Sequence, residues 1–247
     1  MSEHRTAEDR CLIEDRTAAL AQIAVQGPAS RDILTAAGAT DFADLKLHHC
    51  RDIAISGIRC FLARTGYSGE LGYELNVAAE QAVELWQHLL REGAGRGLKP
   101  AALGARDLLR LEMGFLLYGN DISEDTTPLE ANAAWTVNFD KGEFTGRKSL
   151  HQQMQQGTAR CLVAFELVEK SVPRHGLGIL DRTSSHPIGE VTSGNLSPLL
   201  QKGIGLGYVP TAFAKPETAI AIDIRGKLLP AVTVKPPFFR KPKTGHH

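Results

Sequence analysis

Residues 63–74 read Ala63-Arg64-Thr65-Gly66-Tyr67-Ser68-Gly69-Glu70-Leu71-Gly72-Tyr73-Glu74, and the way this stretch turns decides how the first part of the chain is built. Three glycines within residues 66–72 mark a tight loop, because backbone lacking Cβ atoms turns sharply at little cost. After the loop, Tyr73, Leu75 and Val77 fall on one face of a strand. Before it, Ile53, Ile55, Ile58 and Phe61 alternate loosely, so residues 53–64 fit one strand or two. Strands on both sides of a glycine loop predict an antiparallel sheet.

Further out, Gln22-Ile23-Ala24-Val25-Gln26 reads as a short strand that runs into Gly27-Pro28-Ala29-Ser30, where Ser30 is expected to cap a helix through Ala37. Residues 79–92 form the clearest helix: Ala82, Leu85, Trp86, Leu89 and Leu90 keep helical spacing, and Gly93 is expected to end it. A second helix is predicted over residues 101–113, with Leu103, Leu108 and Leu111 on an apolar face, Arg106, Asp107 and Arg110 facing elsewhere, and Gly114 as the stop. Composition changes after Leu150. A glutamine-rich helical piece at residues 151–156 is followed by short β-like runs at 161–167, 188–192, 203–209, 218–224 and 228–234, punctuated by Gly and Pro. Strands at that density predict a small barrel or sandwich. The expected architecture is therefore α+β: a body of mixed or antiparallel sheet with helices over residues 1–157, then a small β-barrel over residues 158–247.

The chain has 247 residues, 43% hydrophobic and 23% charged, enough for a sizeable core. Lys plus Arg and Asp plus Glu are both 28, and this balance leaves no electrostatic footprint for nucleic acid or an acidic membrane. No apolar run is long enough to span a bilayer, and the charged start lacks the apolar core of a signal peptide. Cys11, Cys50, Cys60 and Cys161 form no Cys-x-x-Cys pair and are expected to be buried thiols, which fits a reducing cytoplasm or an organelle matrix. No metal site is expected: His88, His151, His175 and His186 show no ligand spacing, His48-His49 reads as a loop pair, and His246-His247 as a tag remnant. The Gly-x-Ser-x-Gly, P-loop and His-Glu-x-x-His patterns are absent from the sequence.

Three stretches carry candidate chemistry. In the first, backbone crowded with glycine lets a flat ligand approach Tyr67, Glu70 and Glu74, and a carboxylate on a strand can accept two parallel N–H donors from a guanidine-like edge. A plain hairpin with solvated carboxylates fits the same residues. In the second, residues 103–112, an arginine can grip a carboxylate as a planar fork, or Asp107 and Arg110 can simply pair at i,i+3. The third, Thr192-Ser193-Gly194-Asn195-Leu196-Ser197-Pro198, reads as a polar turn.

Taken together these stretches resemble the glycine cleavage T-protein (aminomethyltransferase) family. The resemblance rests on Arg64-Thr65-Gly66-Tyr67-Ser68-Gly69-Glu70, on Gly104-Ala105-Arg106-Asp107 with Arg110-Leu111-Glu112, and on Tyr118-Gly119-Asn120-Asp121 with Thr127-Pro128-Leu129-Glu130. Val25-Gln26-Gly27-Pro28, Trp135, Phe144-Thr145-Gly146-Arg147, Thr192-Ser193-Gly194 and Gly207-Tyr208-Val209-Pro210 extend it, collinear from about Cys11 to Phe239. The resemblance implies a tetrahydrofolate-dependent transferase that takes a one-carbon unit from an aminomethyl group on the lipoyl arm of an H-protein and releases ammonia. It assigns the pteridine to Glu74, the glutamyl carboxylate of the folate to Arg106, and a place in the same pocket to Tyr67. The family's block around Asn-Ala and Lys-Asp, which holds the aspartate at the reacting folate nitrogen, has no counterpart in this sequence, so the catalytic residue is unassigned. The expectation is a fragment, a chain completed by a second chain or a homodimer through an open sheet edge, or a folate-binding relative such as a demethylase or oxidase module. Glu143, where an iron–sulfur assembly branch has a cysteine, argues against that branch.

Overall fold

The computed structural model describes residues 12–240, so the expectations for Cys11 and for His246-His247 lie outside the described residues. The chain falls into two compact units, Met1–Ala102 and Leu103–His247. The compositional change near residue 157 lies within the second unit.

In the first unit, strands β1 (Leu20–Gln26), β2 (Cys50–Ile55), β3 (Ile58–Ala63) and β4 (Gly72–Ala78) form an antiparallel sheet in the order β1-β4-β3-β2. Residues 53–64 resolve as two strands. Ser56 and Gly57, with φ of 51° and 84°, make the two-residue hairpin turn whose left-handed backbone suits the twist of paired strands. Period-two alternation then sorts the side chains. Ile23, Val25, Ile58, Cys60, Leu62, Tyr73, Leu75 and Val77 are buried on one face. They form one core with Ile33 and Leu34 of helix α1 (Ser30–Ala36) and Leu85 and Leu89 of helix α2 (Ala82–Gly93). Each such side chain contributes about 1.5–3 kcal/mol by leaving water.

Three details differ from the sequence expectations. Ser30 is the first helical residue rather than the cap, and its hydroxyl donates to the carbonyl of Leu71 (3.2 Å), which ties the helix start to the strand beside it. Gly93 is the last residue of α2 as expected, but the helical path does not stop there: the chain continues through a 3-10 turn, Ala94–Arg96, and Gly97 (φ 78°) terminates it. Gly93 is also a packing glycine, since a Cβ there would lie 2.6 Å from Leu98 Cδ2. Cys60 and Cys161 are buried thiols as expected, whereas Cys50, at the start of an edge strand, is exposed.

The second unit holds helices α3 (Leu103–Glu112) and α4 (Arg147–Gln156), followed by strands β5 (Arg160–Leu167), β6 (Gly178–Asp181), β7 (Pro187–Ser197), β8 (Lys202–Pro210), β9 (Ala219–Ile224) and β10 (Lys227–Val234). The six strands close into an antiparallel barrel in the order β10-β5-β8-β7-β6-β9, which leaves no sheet edge. Val163, Phe165, Leu167, Ile179, Val191, Val209, Ile220 and Ile222 fill its interior. Strand β5 is buried on both faces, because Leu162 and Ala164 join Ile204, Leu206 and Leu111 of α3 in a second cluster. The barrel wall is tight at Gly205, where a Cβ would sit 2.4 Å from the Phe165 ring.

Here too the structure corrects the sequence reading. The 192–198 stretch is not a turn: Thr192 to Ser197 are the second half of β7, bulged between Val191 and Ser193. Its hydroxyls are buried because carboxylate and guanidinium groups satisfy them, which hydropathy does not reveal. Arg110, expected to face away from the apolar side of its helix, is 1% exposed, while Leu103 is 82% exposed.

Candidate functional site

The face of the first sheet opposite its core carries Glu74. Strand register sets its neighbours: Ala24 on β1 and Ala63 on β3 both pair directly with it. Directly opposed Cβ atoms on one face lie about 4.5–5.5 Å apart, so the carboxylate stands between two methyl groups with no bulk beside it. The next row on the same face runs Gln22, Asn76, Phe61 and Asp52, and Phe61 is 44% exposed. Glu74 Oε2 accepts a hydrogen bond from the hydroxyl of Thr65, and Oε1 has no hydrogen-bond partner among the described residues. A carboxylate held by one oxygen and flanked by alanines fits a flat ligand edge that presents N–H groups, which is the edge a pterin has.

Tyr67 lies half-buried in the loop between β3 and β4, in the same unit as Glu74. Gln26 anchors that loop: its Nε2 donates to the carbonyls of Thr65 and Tyr73, both at 3.3 Å, and its Oε1 accepts from the Ser68 hydroxyl at 3.0 Å. Tyr73 points the other way, into the core, where its hydroxyl accepts from Arg31 Nε (3.1 Å) and its ring meets Phe42 edge-on. Sequence reasoning used Gln26 and Thr65 only as parts of motifs and missed both roles. The signal was the pair Gly66 and Gly72, which leaves room for something to cross.

Arg106 lies in the second unit, exposed on α3. One turn on, Arg110 is buried in a polar knot. Its guanidinium donates to Asp107 Oδ1 (2.7 and 2.8 Å), Asp121 Oδ2 (2.6 Å), Ser193 Oγ (2.8 Å) and the carbonyl of Phe115 (3.1 Å). Asp121 also accepts from the Thr192 hydroxyl (2.6 Å) and the Leu117 amide (2.9 Å). Glu112 accepts from the Ser197 hydroxyl at 2.6 Å. Burial works against the Arg110 charge, but Asp107 and Asp121 outweigh it and keep the guanidinium protonated. These bonds fix α3 on β7 and so set the face that carries Arg106. Among the described residues no helix is long and apolar enough to cross a membrane.

The family model of the GCVT N-terminal domain matches residues 1–141, and that of the glycine cleavage T-protein C-terminal barrel domain matches residues 160–240. An aminomethyltransferase of Halothermothrix orenii is 46% identical over 218 residues, which cover 88% of this chain and 60% of that protein. A probable aminomethyltransferase of Pyrococcus furiosus is 41% identical, with 94% of this chain and 64% of that protein covered. The crystal structure of glycine cleavage system aminomethyltransferase T from Bartonella henselae matches with a TM-score of 0.82 at 33% identity, over 89% of this chain and 60% of that one. The chain thus spans about 60% of the length of these relatives. With both family domains matched in order and relatives above 40% identity along most of its length, the chain belongs to the glycine cleavage T-protein, or aminomethyltransferase, family.

Proposed function

We propose that this chain binds a reduced folate and takes part in aminomethyl transfer, in which the one-carbon unit on a lipoylated H-protein passes to tetrahydrofolate and ammonia is released. Tetrahydrofolate supplies the nitrogens that accept the one-carbon unit. The chain's own residues bind and orient. Glu74 offers Oε1 to the N–H edge of the pterin while the Thr65 hydroxyl holds Oε2. Tyr67 borders that pocket, and Arg106 takes the glutamyl carboxylate through its planar fork. Such chemistry depends on positioning more than on covalent attack by the protein. The lipoyl-bearing H-protein, a second copy of the chain, or another chain adding to the outer edge of β1 are the partners this reading implies, in a reducing compartment such as the cytoplasm.

The observation that carries the proposal is Glu74 itself, tethered at one oxygen and flanked by Ala24 and Ala63. Calorimetric titration of the chain with 5-formyltetrahydrofolate tests it. Binding is expected in the wild type and is expected to disappear in Glu74→Ala. A Glu74→Ala chain that binds as tightly as the wild type would put the pterin elsewhere.

A further inference from the structure

Gln26 ends β1 on the same sheet face as Glu74, and its register partner is Gly72. Its side chain crosses over Gly72 and extends to Gly66. A Cβ on Gly72 would lie 2.0 Å from Gln26 Oε1, and one on Gly66 would lie 2.1 Å from it. Neither glycine has a positive φ. What these two positions require is therefore space for the glutamine, not left-handed backbone. The amide then joins three parts of the loop: the Thr65 carbonyl where the loop begins, the Ser68 hydroxyl in its middle and the Tyr73 carbonyl where it returns to β4. Thr65 is the residue whose hydroxyl donates to Glu74.

We infer that Gln26 is a positioning residue of the folate site: by holding the backbone of Thr65 it sets the Thr65 hydroxyl on Glu74, and so the direction in which Glu74 presents its second oxygen. The inference rests on the proposed reading of Glu74 as the acceptor for the pterin edge. Gln26 does not touch the ligand in this arrangement. It acts through Thr65, and the glycines at 66 and 72 are the clearance that lets it do so. The size of the link is set by one or two neutral hydrogen bonds, so its loss weakens binding by about tenfold.

The test is a double-mutant cycle read by titration with 5-formyltetrahydrofolate, well below the unfolding transition, with the full chain. Gln26→Met keeps the volume and removes the amide; Thr65→Val keeps the shape and removes the hydroxyl. Each is expected to weaken binding about tenfold. The double variant is expected to be no weaker than the weaker single one, because both changes break the same link. A purely structural role for Gln26 would lower the melting temperature and leave the affinity of the folded chain alone. Wild-type affinity in Gln26→Met, with binding still lost in Glu74→Ala, overturns the role of Gln26 and leaves the folate reading intact. An unliganded wild type, or a Glu74→Ala chain that still binds, overturns both. If Gln26→Met does not fold, Gln26→Ala with Gly72→Ala refills the vacated space without restoring the amide. Weakened binding by that folded pair supports the inference, and wild-type binding overturns it.

Discussion

Arg110 illustrates how much one residue can hold in place. At 1% exposure its guanidinium has exchanged water for two carboxylates, a hydroxyl and a carbonyl. The partners differ in kind. Asp121 is 0% exposed, so removing Arg110 leaves a buried carboxylate without its counter-charge, whereas Asp107 is 41% exposed and water can replace its arginine. Arg110→Ala is therefore expected to cost about 3–5 kcal/mol of unfolding free energy, and Asp107→Ala under about 1 kcal/mol, both by urea denaturation. Equal costs would place the energy in the helical pair and not in the buried one. The i,i+3 spacing of Asp107 and Arg110 was legible in the sequence. The depth of Arg110 was not, because Asp121 and Ser193 come from 11 and 83 residues away and period counting sees only the helix.

At the scale of elements, the first sheet was read well because its signal is local. Alternation places Tyr73, Leu75 and Val77 inside and thereby Glu74 and Asn76 outside. What periodicity could not supply was register, and register is what puts alanine on both sides of Glu74. The same shortfall hid the second half of β7, where Thr192, Ser193 and Ser197 read as a turn until their partners on α3 and the loop that follows it are known. Register leads to a prediction. Ala24 is exposed on β1, an edge strand, so Ala24→Leu is expected to shift stability by no more than about 0.5 kcal/mol in denaturant. A leucine there crowds the Glu74 carboxylate, and overpacking of about 1–3 kcal/mol translates to a folate affinity lower by about tenfold or more. A leucine variant that is stable and binds as the wild type does would mean that the ligand approaches Glu74 from another side.

For the molecule as a whole, the sequence conveyed an α+β body followed by a β-barrel. It left out one strand of that barrel, β6, which spans four residues with one buried side chain and presents almost no alternation to read. Stability at high pH depends on Tyr208 on β8. Its hydroxyl donates to the carbonyl of Asp121 (2.9 Å), and the Arg160 guanidinium lies 4.8 Å from the ring centroid. Burial pushes its phenol up from 10.0 to about 12, with Arg160 opposing the shift and Glu130 and Asp121 adding to it. A folded pKa above the unfolded value means that folding favours the neutral phenol. That contribution is complete below about pH 10, where the unfolded chain begins to ionise, and it is lost as pH rises through the folded value near 12. Tyr208→Phe has no phenol to ionise but lacks the bond to Asp121, so near neutrality it should be less stable than the wild type by about 1 kcal/mol. Urea denaturation at pH 8 and pH 11 should show this gap narrowing at the higher pH, since lysines and arginines elsewhere titrate alike in both proteins. A gap that is unchanged at pH 11 would mean that the phenol of the folded chain ionises as readily as that of the unfolded one, so that burial does not raise its pKa in solution.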